Sequence, residues 1–233
     1  MVASIALVPA AGEGRRFAGD EPKLWTRVAG RPVLLWTVER LYEAGLDRVV
    51  VALPPGQLPS LQDELDSLGR GIHCVAGGAT RQQSVANALA AAPGAGDDLI
   101  VVHDGARPAV AQADVRRTVE AADLSGAALL GRPVTDTLKR LRGELVEETV
   151  PRHDLFRAET PQVFRRDLLQ RALRQAADDG FVGSDEASAV ERLPGVRVRV
   201  VAATRPNPKL TRVGDLAYLE FLLRQSMVEP VAS

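Results

Sequence analysis

Lysine is scarce in this chain, and where it survives is informative. Of 29 basic residues only three, Lys23, Lys139 and Lys209, are lysine. A general bias toward arginine accounts for the rest but not for the exceptions, because an ammonium is a compact point charge that can follow a moving phosphate, whereas a guanidinium is a rigid fork. Lys23 sits near the end of SIALVPAAGEGRRFAGDEPKL, residues 4–24, where an apolar run breaks into a loop of small residues. Ala10, Ala11, Gly12 and Gly14 let backbone N–H groups approach phosphate oxygens closely, and glycine accepts the left-handed turns that such a cradle requires. Arg15, Arg16 and Lys23 then supply positive charge. The loop therefore suits a nucleoside triphosphate. It is neither a dinucleotide fingerprint, since Phe17 replaces the third glycine, nor a Walker loop, since no Gly-Lys-Ser/Thr follows.

Further polar residues fall where apolar runs end. They comprise Gly77-Gly78-Ala79-Thr80-Arg81 with Ser84 one turn on, and His103-Asp104-Gly105-Ala106-Arg107-Pro108. Val134-Thr135-Asp136-Thr137, Thr160-Pro161-Gln162, Ser184-Asp185-Glu186 and Asn207-Pro208-Lys209 follow. In an open parallel sheet, ligands bind beyond the carboxyl ends of the strands, so these segments form the candidate site. Each also has a purely structural reading. Asp104 can cap its own turn, and Ser184, Asp185 and Thr211 are natural helix N-caps. His73 and His153 read as surface or polar-core residues, and His103 has no second histidine or cysteine near it in sequence to build a metal site. No HExxH, CxxC or GxSxG motif is present, so zinc hydrolysis and nucleophile-elbow chemistry lack support.

Positioning these residues falls to alternating elements. Ile5–Val8, Arg48–Leu53, Ile72–Val75 and Leu99–Val102 are short, β-branched runs of the kind buried on both sheet faces. Between them lie helical patterns: residues 32–44, with Leu34, Val38, Leu41 and Tyr42 on one stripe, Pro32 in the first turn and Gly45 as the stop; then Arg81–Ala92 and Asp114–Leu124. Gly214–Leu223 closes the chain with Leu216, Leu219 and Leu223 on one face. This is a βαβ pattern and predicts an α/β fold with a mainly parallel, Rossmann-like sheet, read as a single domain over residues 1–233. Residues 138–150, LKRLRGELVEETV, alternate apolar and charged around Gly143 and predict an exposed hairpin turning at Gly143-Glu144. Too few apolar residues stabilise it alone, so it is expected to meet the same arm of a second subunit rather than fold back on its own domain.

Composition bounds the class. The 233 residues are 45% hydrophobic and 25% charged with net charge −1, an ordinary globular balance. Basic residues cluster only as pairs such as Arg116-Arg117, which excludes a nucleic-acid footprint. No leader-like start and no run of about 18 apolar residues is found, so a cytoplasmic protein without a membrane span is expected. The one cysteine, Cys74, excludes an intramolecular disulfide and agrees with a reducing compartment.

Seven segments, VPAAGEGRRF…PK (8–23), GGATRQQSV (77–85), VHDGARP (102–108), PVTDTLKR (133–140), TPQVF (160–164), SDEASAVE (184–191) and NPKLTRVGDL (207–216), together resemble the 2-C-methyl-D-erythritol 4-phosphate cytidylyltransferases of non-mevalonate isoprenoid synthesis. The segments run in order along almost the whole chain. The resemblance implies a nucleotidyltransferase fold with a projecting dimerisation arm, using CTP and a divalent cation such as Mg²⁺. It places CTP against Pro9, Ala10, Ala11, Gly12, Gly14, Gly78, Ser84, Asp104 and Gly105, the base held largely by backbone groups, with Arg16 and Lys23 acting on the reacting phosphate. It places the sugar-alcohol phosphate at Asp104, Arg107, Thr137 and Lys209, with Arg152, Thr160 and Ser184 from the partner subunit. Arg152 and Lys209 position the attacking phosphate and join Arg16 and Lys23 as catalytic residues. The chain departs from the family pattern at Ala79, commonly acidic, and at Gly105 and Ser184, so a side-chain reading of cytosine at position 79 is missing.

Aligning and neutralising two anions needs cations and no activated nucleophile, in keeping with the motifs present and absent. Mg²⁺ is expected on triphosphate oxygens and water, with no dedicated protein cage and at most a carboxylate such as Asp104 nearby. A ribitol 5-phosphate cytidylyltransferase would carry nearly the same motifs. A non-catalytic nucleotide sensor would need fewer cations than Arg16, Lys23 and Lys209 provide. A nicotinamide oxidoreductase is disfavoured by Phe17 and by Leu53-Pro54-Pro55, which ends the second strand without an acidic residue.

Overall fold

The structure is a computed structural model and describes residues 3–12, 14, 17 and 22–228. Its strands are β1 (Ser4–Pro9), the short pair β2 (Arg27–Val28) and β3 (Arg31–Pro32), β4 (Arg48–Leu53), β5 (His73–Ala76), β6 (Leu99–Val102), β7 (Ala127–Pro133), β8 (Leu138–Arg142), β9 (Leu145–Val150), β10 (Phe156–Arg165) and β11 (Arg199–Ala202). Its α-helices are α1 (Val33–Glu43), α2 (Leu58–Asp66), α3 (Arg81–Ala91), α4 (Gln112–Ser125), α5 (Arg166–Asp178), α6 (Glu186–Val190) and α7 (Leu216–Val228).

Seven strands form one sheet in the order β11-β7-β10-β6-β1-β4-β5. β1 pairs in parallel with β4 and β6, β4 with β5, and β7 with β11. Only β10 runs the other way, antiparallel to both β6 and β7. The expected mainly parallel sheet is therefore present, with one reversed strand that the βαβ reading did not separate. Period-two alternation sends Ile5 and Leu7 of β1 to one face and Ala6 and Val8 to the other, and each face carries its own core. Leu34, Val38 and Leu41 of α1 are fully buried, as the stripe predicts, and the helix ends at Ala44 just before Gly45, whose φ is +92°. The last helix begins at Leu216, after a 3₁₀ turn over Val213–Asp215, and buries Leu219 and Leu223. The Asp215 carboxylate accepts the backbone N–H groups of Thr211 and Arg212 at 2.8 Å each, so Asp215 does the capping expected of Thr211.

Two placements on the far half of the chain differ from the sequence reading. Thr160-Pro161-Gln162 does not follow a strand end but lies inside β10, where proline has no N–H for the ladder and the register against β7 shifts between Ala158 and Gln162. Asp185, not Ser184, is the N-cap of α6, its carboxylate accepting the Ser188 N–H at 3.0 Å. The hairpin is as expected: β8 and β9 form a separate two-stranded sheet, turning at Gly143 with φ +62°. Its residues are almost all exposed, including Leu141, Leu145 and Val146, so it does not fold back onto its own sheet.

Candidate active site

A cavity of about 520 Å³ opens at the carboxyl ends of β1, β5 and β6. The first loop contributes Pro9, Ala10, Ala11 and Gly12, the second Gly78, Ala79, Thr80, Arg81 and Ser84, the third Asp104, Gly105 and Ala106; Lys23, Leu24 and Lys209 complete the wall. Two of the chain's three lysines thus meet in one cavity, while Lys139 lies on the arm and donates to Thr149 Oγ1 at 2.7 Å. Arg15 and Arg16 lie outside the described residues.

Small residues are required here for physical reasons. A Cβ on Gly77 would stand 2.2 Å from the Ala11 Cβ, so the first two loops approach as closely as backbone permits. Gly14 has φ +63° and faces the Lys23 stem, where an added Cβ would lie 3.2 Å from the Lys23 Cβ. Thr80 caps α3 by accepting the Gln83 N–H at 3.0 Å, and Gln83 returns its side-chain oxygen to the Ala79 N–H at 3.0 Å. Ser84 is buried; its hydroxyl donates to the Thr80 carbonyl at 2.9 Å and accepts the Gly78 N–H at 3.0 Å. The Ala10 N–H in turn donates to the Ala52 carbonyl at 2.8 Å. The expected reading of the base by backbone groups is thereby narrowed, because the N–H groups of Ala10, Gly78 and Ala79 are already engaged.

Asp104 is the electrostatic centre. Its Oδ1 accepts Arg81 Nε at 3.0 Å, its Oδ2 accepts Lys209 Nζ at 2.8 Å, and Arg107 Nε lies 3.5 Å from Oδ2. Burial would raise its pKa, but Arg81 and Lys209 outweigh that and hold the carboxylate well below its ordinary range. Arg81 also donates from Nη1 to both oxygens of Glu186, at 2.7 and 2.6 Å. Glu186 is only 1% exposed, and burial pushes its pKa up against the pull of Arg81. For Arg81 the two carboxylates overcome the cost of burial, so the guanidinium stays charged. Arg81 and Glu186 stand in segments read from sequence as part of the site, but no role was assigned to them there. The signal was available, since Arg81 stands in the first turn of α3 directly after the glycine loop and Glu186 follows Ser184-Asp185.

Thr160 was expected to serve the partner's site. The structure instead buries it in its own chain, where its hydroxyl accepts the Asp104 N–H at 3.1 Å. Ser184 is exposed, two residues before Glu186, and does not line the cavity. Arg107 donates from Nη1 to the Asn207 carbonyl at 2.6 Å, and the Leu210 N–H donates to the Ala106 carbonyl at 2.8 Å, so the segment bearing Lys209 is fastened to the turn bearing Asp104. Thr137 and Arg152 do not line the cavity. Both are exposed at the root of the arm, and Arg152 donates to the carbonyl of Thr135. The two residues stand on the two chain segments that meet at this junction, 134–137 and 151–155.

No group of three or more histidine, cysteine or acidic residues that could hold a metal ion occurs among the described residues. Asp104 is the one carboxylate of the cavity wall described, and both of its oxygens are already paired. This donor set fits a divalent cation carried on phosphate oxygens and water, touching at most Asp104.

A mainly parallel sheet whose first loop is built of small residues, with Lys23, Arg81 and Lys209 lining one cavity and Arg81 and Lys209 paired to its one described acid, defines the class as a nucleotidyltransferase. The family model for 2-C-methyl-D-erythritol 4-phosphate cytidylyltransferase matches residues 4–225, and the chain belongs to that family. A cytidylyltransferase of that name from Acidobacterium capsulatum is 40% identical over 232 residues, covering 94% of this chain and 96% of the relative. One from Ralstonia nicotianae is 43% identical over 231 residues, covering 94% and 90%. The crystal structure of the Thermus thermophilus cytidylyltransferase superposes with a TM-score of 0.80 at 39% identity, covering 96% of this chain and 100% of that one.

Proposed function

We propose that this protein joins CTP to 2-C-methyl-D-erythritol 4-phosphate, giving 4-diphosphocytidyl-2-C-methyl-D-erythritol and pyrophosphate. The observation that carries the reading is the convergence of Lys23, Arg81 and Lys209 on one cavity, with Arg81 and Lys209 paired to Asp104. A phosphate oxygen of the sugar-alcohol phosphate attacks the α-phosphorus of CTP, the bond to the β-phosphate oxygen breaks, and that oxygen leaves with its electron pair as pyrophosphate. Lys23, with Arg16, stabilises charge gathering on the reacting phosphate, while Lys209, Arg107 and Arg152 align the attacking one. A divalent cation such as Mg²⁺ supplies further neutralisation of the triphosphate. With the N–H groups of Ala10 and Gly78 engaged, carbonyl oxygens are left to read the exocyclic amino group of cytosine.

The arm is read as the interface of a homodimer. Leu141, Leu145 and Val146 are exposed on a sheet joined to no other strand, which is the surface a second copy would cover. Thr137 and Arg152 at its root then enter the partner's site together, while Thr160 and Ser184 serve their own. We place the enzyme in the cytoplasm as a single domain with this projecting arm; no helix among the described residues is long and apolar enough to cross a membrane, and Cys74 is a free thiol.

Pyrophosphate release measured with each of four nucleoside triphosphates, against methylerythritol 4-phosphate and ribitol 5-phosphate, tests the reading. Turnover is expected only with CTP, methylerythritol 4-phosphate and a divalent cation. Equal or faster turnover with ribitol 5-phosphate would overturn it, and binding of CTP without any turnover would favour a sensor.

A further inference from the structure

His103 is completely buried beside the site, and its two ring nitrogens each have a partner. Nε2 lies 3.2 Å from the Arg107 carbonyl oxygen, and Nδ1 lies 3.0 Å from the Thr160 hydroxyl. A carbonyl only accepts, so Nε2 must carry the proton. In the neutral ring Nδ1 is then a bare lone pair, which must take the single proton of the Thr160 hydroxyl. That hydroxyl oxygen is left as the acceptor for the Asp104 N–H, which can only donate, at 3.1 Å. Each proton has one destination.

The bonds also close on themselves. From His103 the path runs to the Arg107 carbonyl; from the Arg107 guanidinium to the Asn207 carbonyl at 2.6 Å; from the Asn207 amide to the Thr160 carbonyl at 2.8 Å; and from the Thr160 hydroxyl back to His103. Three separate segments meet in this ring: the turn after β6, the bulged part of β10 and the loop before Lys209. We propose that His103 is a positioning residue which, as the neutral Nε2–H tautomer, locks these segments together and so fixes Asp104, Arg107 and Lys209 relative to one another. It touches no reacting atom itself. Its surroundings agree with a neutral ring: burial dominates, the Arg81 and Arg107 guanidiniums oppose a second proton, and Asp104 and the Arg107 carbonyl favour one, with the balance bringing the pKa down to about 4.

The kinetic part of the test rests on the proposed transfer reaction; the spectroscopic part does not. Nitrogen NMR of the histidine-labelled protein is expected to show Nε2 protonated and Nδ1 bare for His103 between pH 7.5 and 5.5. The opposite tautomer, or a doubly protonated ring in that range, overturns the proposal. Kinetically, H103Q keeps a donor near the Arg107 carbonyl and loses the link to Thr160, and T160V loses that same link from the other side. Each is expected to raise KM for the sugar phosphate about tenfold, as for an orphaned buried polar group, with a smaller change in KM for CTP. Because both variants break the His103–Thr160 bond, T160V also removing the acceptor of the Asp104 N–H, the double variant should be no worse than about threefold beyond the poorer single one, and T160S should recover most of the T160V loss. Losses that multiply in the double variant, or a T160S no better than T160V, overturn the proposal. Should a variant fail to fold, the wild-type spectrum decides alone; an inactive wild type with the expected spectrum would refute the proposed reaction and leave the tautomer standing.

Discussion

Replacing Arg81 by alanine separates two roles that the structure combines in one guanidinium. On the structural side, Arg81→Ala leaves the Glu186 carboxylate, 1% exposed, without the partner now 2.6 Å away. An uncompensated buried charge of this kind costs about 3–5 kcal/mol. Adding Glu186→Gln exchanges the charge for a neutral amide, so the double variant should regain all but about 1–2 kcal/mol of that loss. On the functional side, Arg81 lines the cavity and holds Asp104 at 3.0 Å, and a lost charge-assisted bond of about 1.5–3 kcal/mol corresponds to a fall in kcat/KM of about 10- to 150-fold. That loss should persist in the double variant, since the second substitution restores no cation to the cavity. Urea denaturation reads the first effect and pyrophosphate release the second. If transfer recovers together with stability, Arg81 serves only to neutralise Glu186; if Arg81→Ala is as stable as wild type, the buried-pair reasoning itself is wrong.

Lys23→Arg should retain CTP binding by titration calorimetry and lose at least about tenfold in kcat, because the fork cannot track the reacting phosphate, whereas Lys139→Arg on the arm should transfer like wild type. Equal behaviour of the two variants would remove the significance given to scarce lysine. For His103, the folded ring resists the proton that the unfolded chain takes up first, so its contribution to stability is complete above about pH 6.5 and is lost as pH falls toward 4, about 3 kcal/mol in all. It should be measured as the difference between wild type and H103N across that interval, since Glu186, with its raised pKa, acts in the opposite sense; a pH-independent difference would contradict the burial argument. Finally, Lys23→Ala and Arg152→Ala homodimers should each be nearly inactive, yet mixing equal amounts under subunit exchange should restore about a quarter of the sites, by symmetry alone. Continued inactivity after demonstrated exchange would place Arg152 outside the partner's site.

The first half of the fold was legible because its strands are buried on both faces and its helices carry a single stripe: β4 and β6 have the bounds read from sequence, α1 is one residue shorter than read at each end, and α3 is one residue shorter at its C-terminal end. The second half was harder. β10 has proline and two register partners, so period-two alternation fails along it, although α5 could have been found from Leu169, Ala172, Leu173 and Ala176, all buried at helical spacing. Within the site, the loop glycines and the two lysines were readable from residue type. Arg81 and Glu186 could be placed in the site's segments by position, but their pairing and the ring through His103 could not be read, because they depend on which distant segments the sheet order brings together. The ownership of Thr160 by its own chain likewise follows from strand pairing, which no local pattern encodes.

The reversed strand has a consequence for how the molecule can move. β10 begins at Phe156 against Pro133, where the arm departs, passes Thr160 beneath Asp104, and ends at Arg165 against Leu99. One rod therefore runs from beside the root of the arm, past the turn bearing Asp104, to its pairing with Leu99. A displacement that reaches the Phe156 end of this rod is carried to the bulge between Ala158 and Gln162, where the Thr160 hydroxyl accepts the Asp104 N–H. Whatever loads the Phe156 end of β10 thus acts on the same backbone that seats Asp104, and the reversed strand is the mechanical part through which the far side of the sheet and the cavity share their geometry.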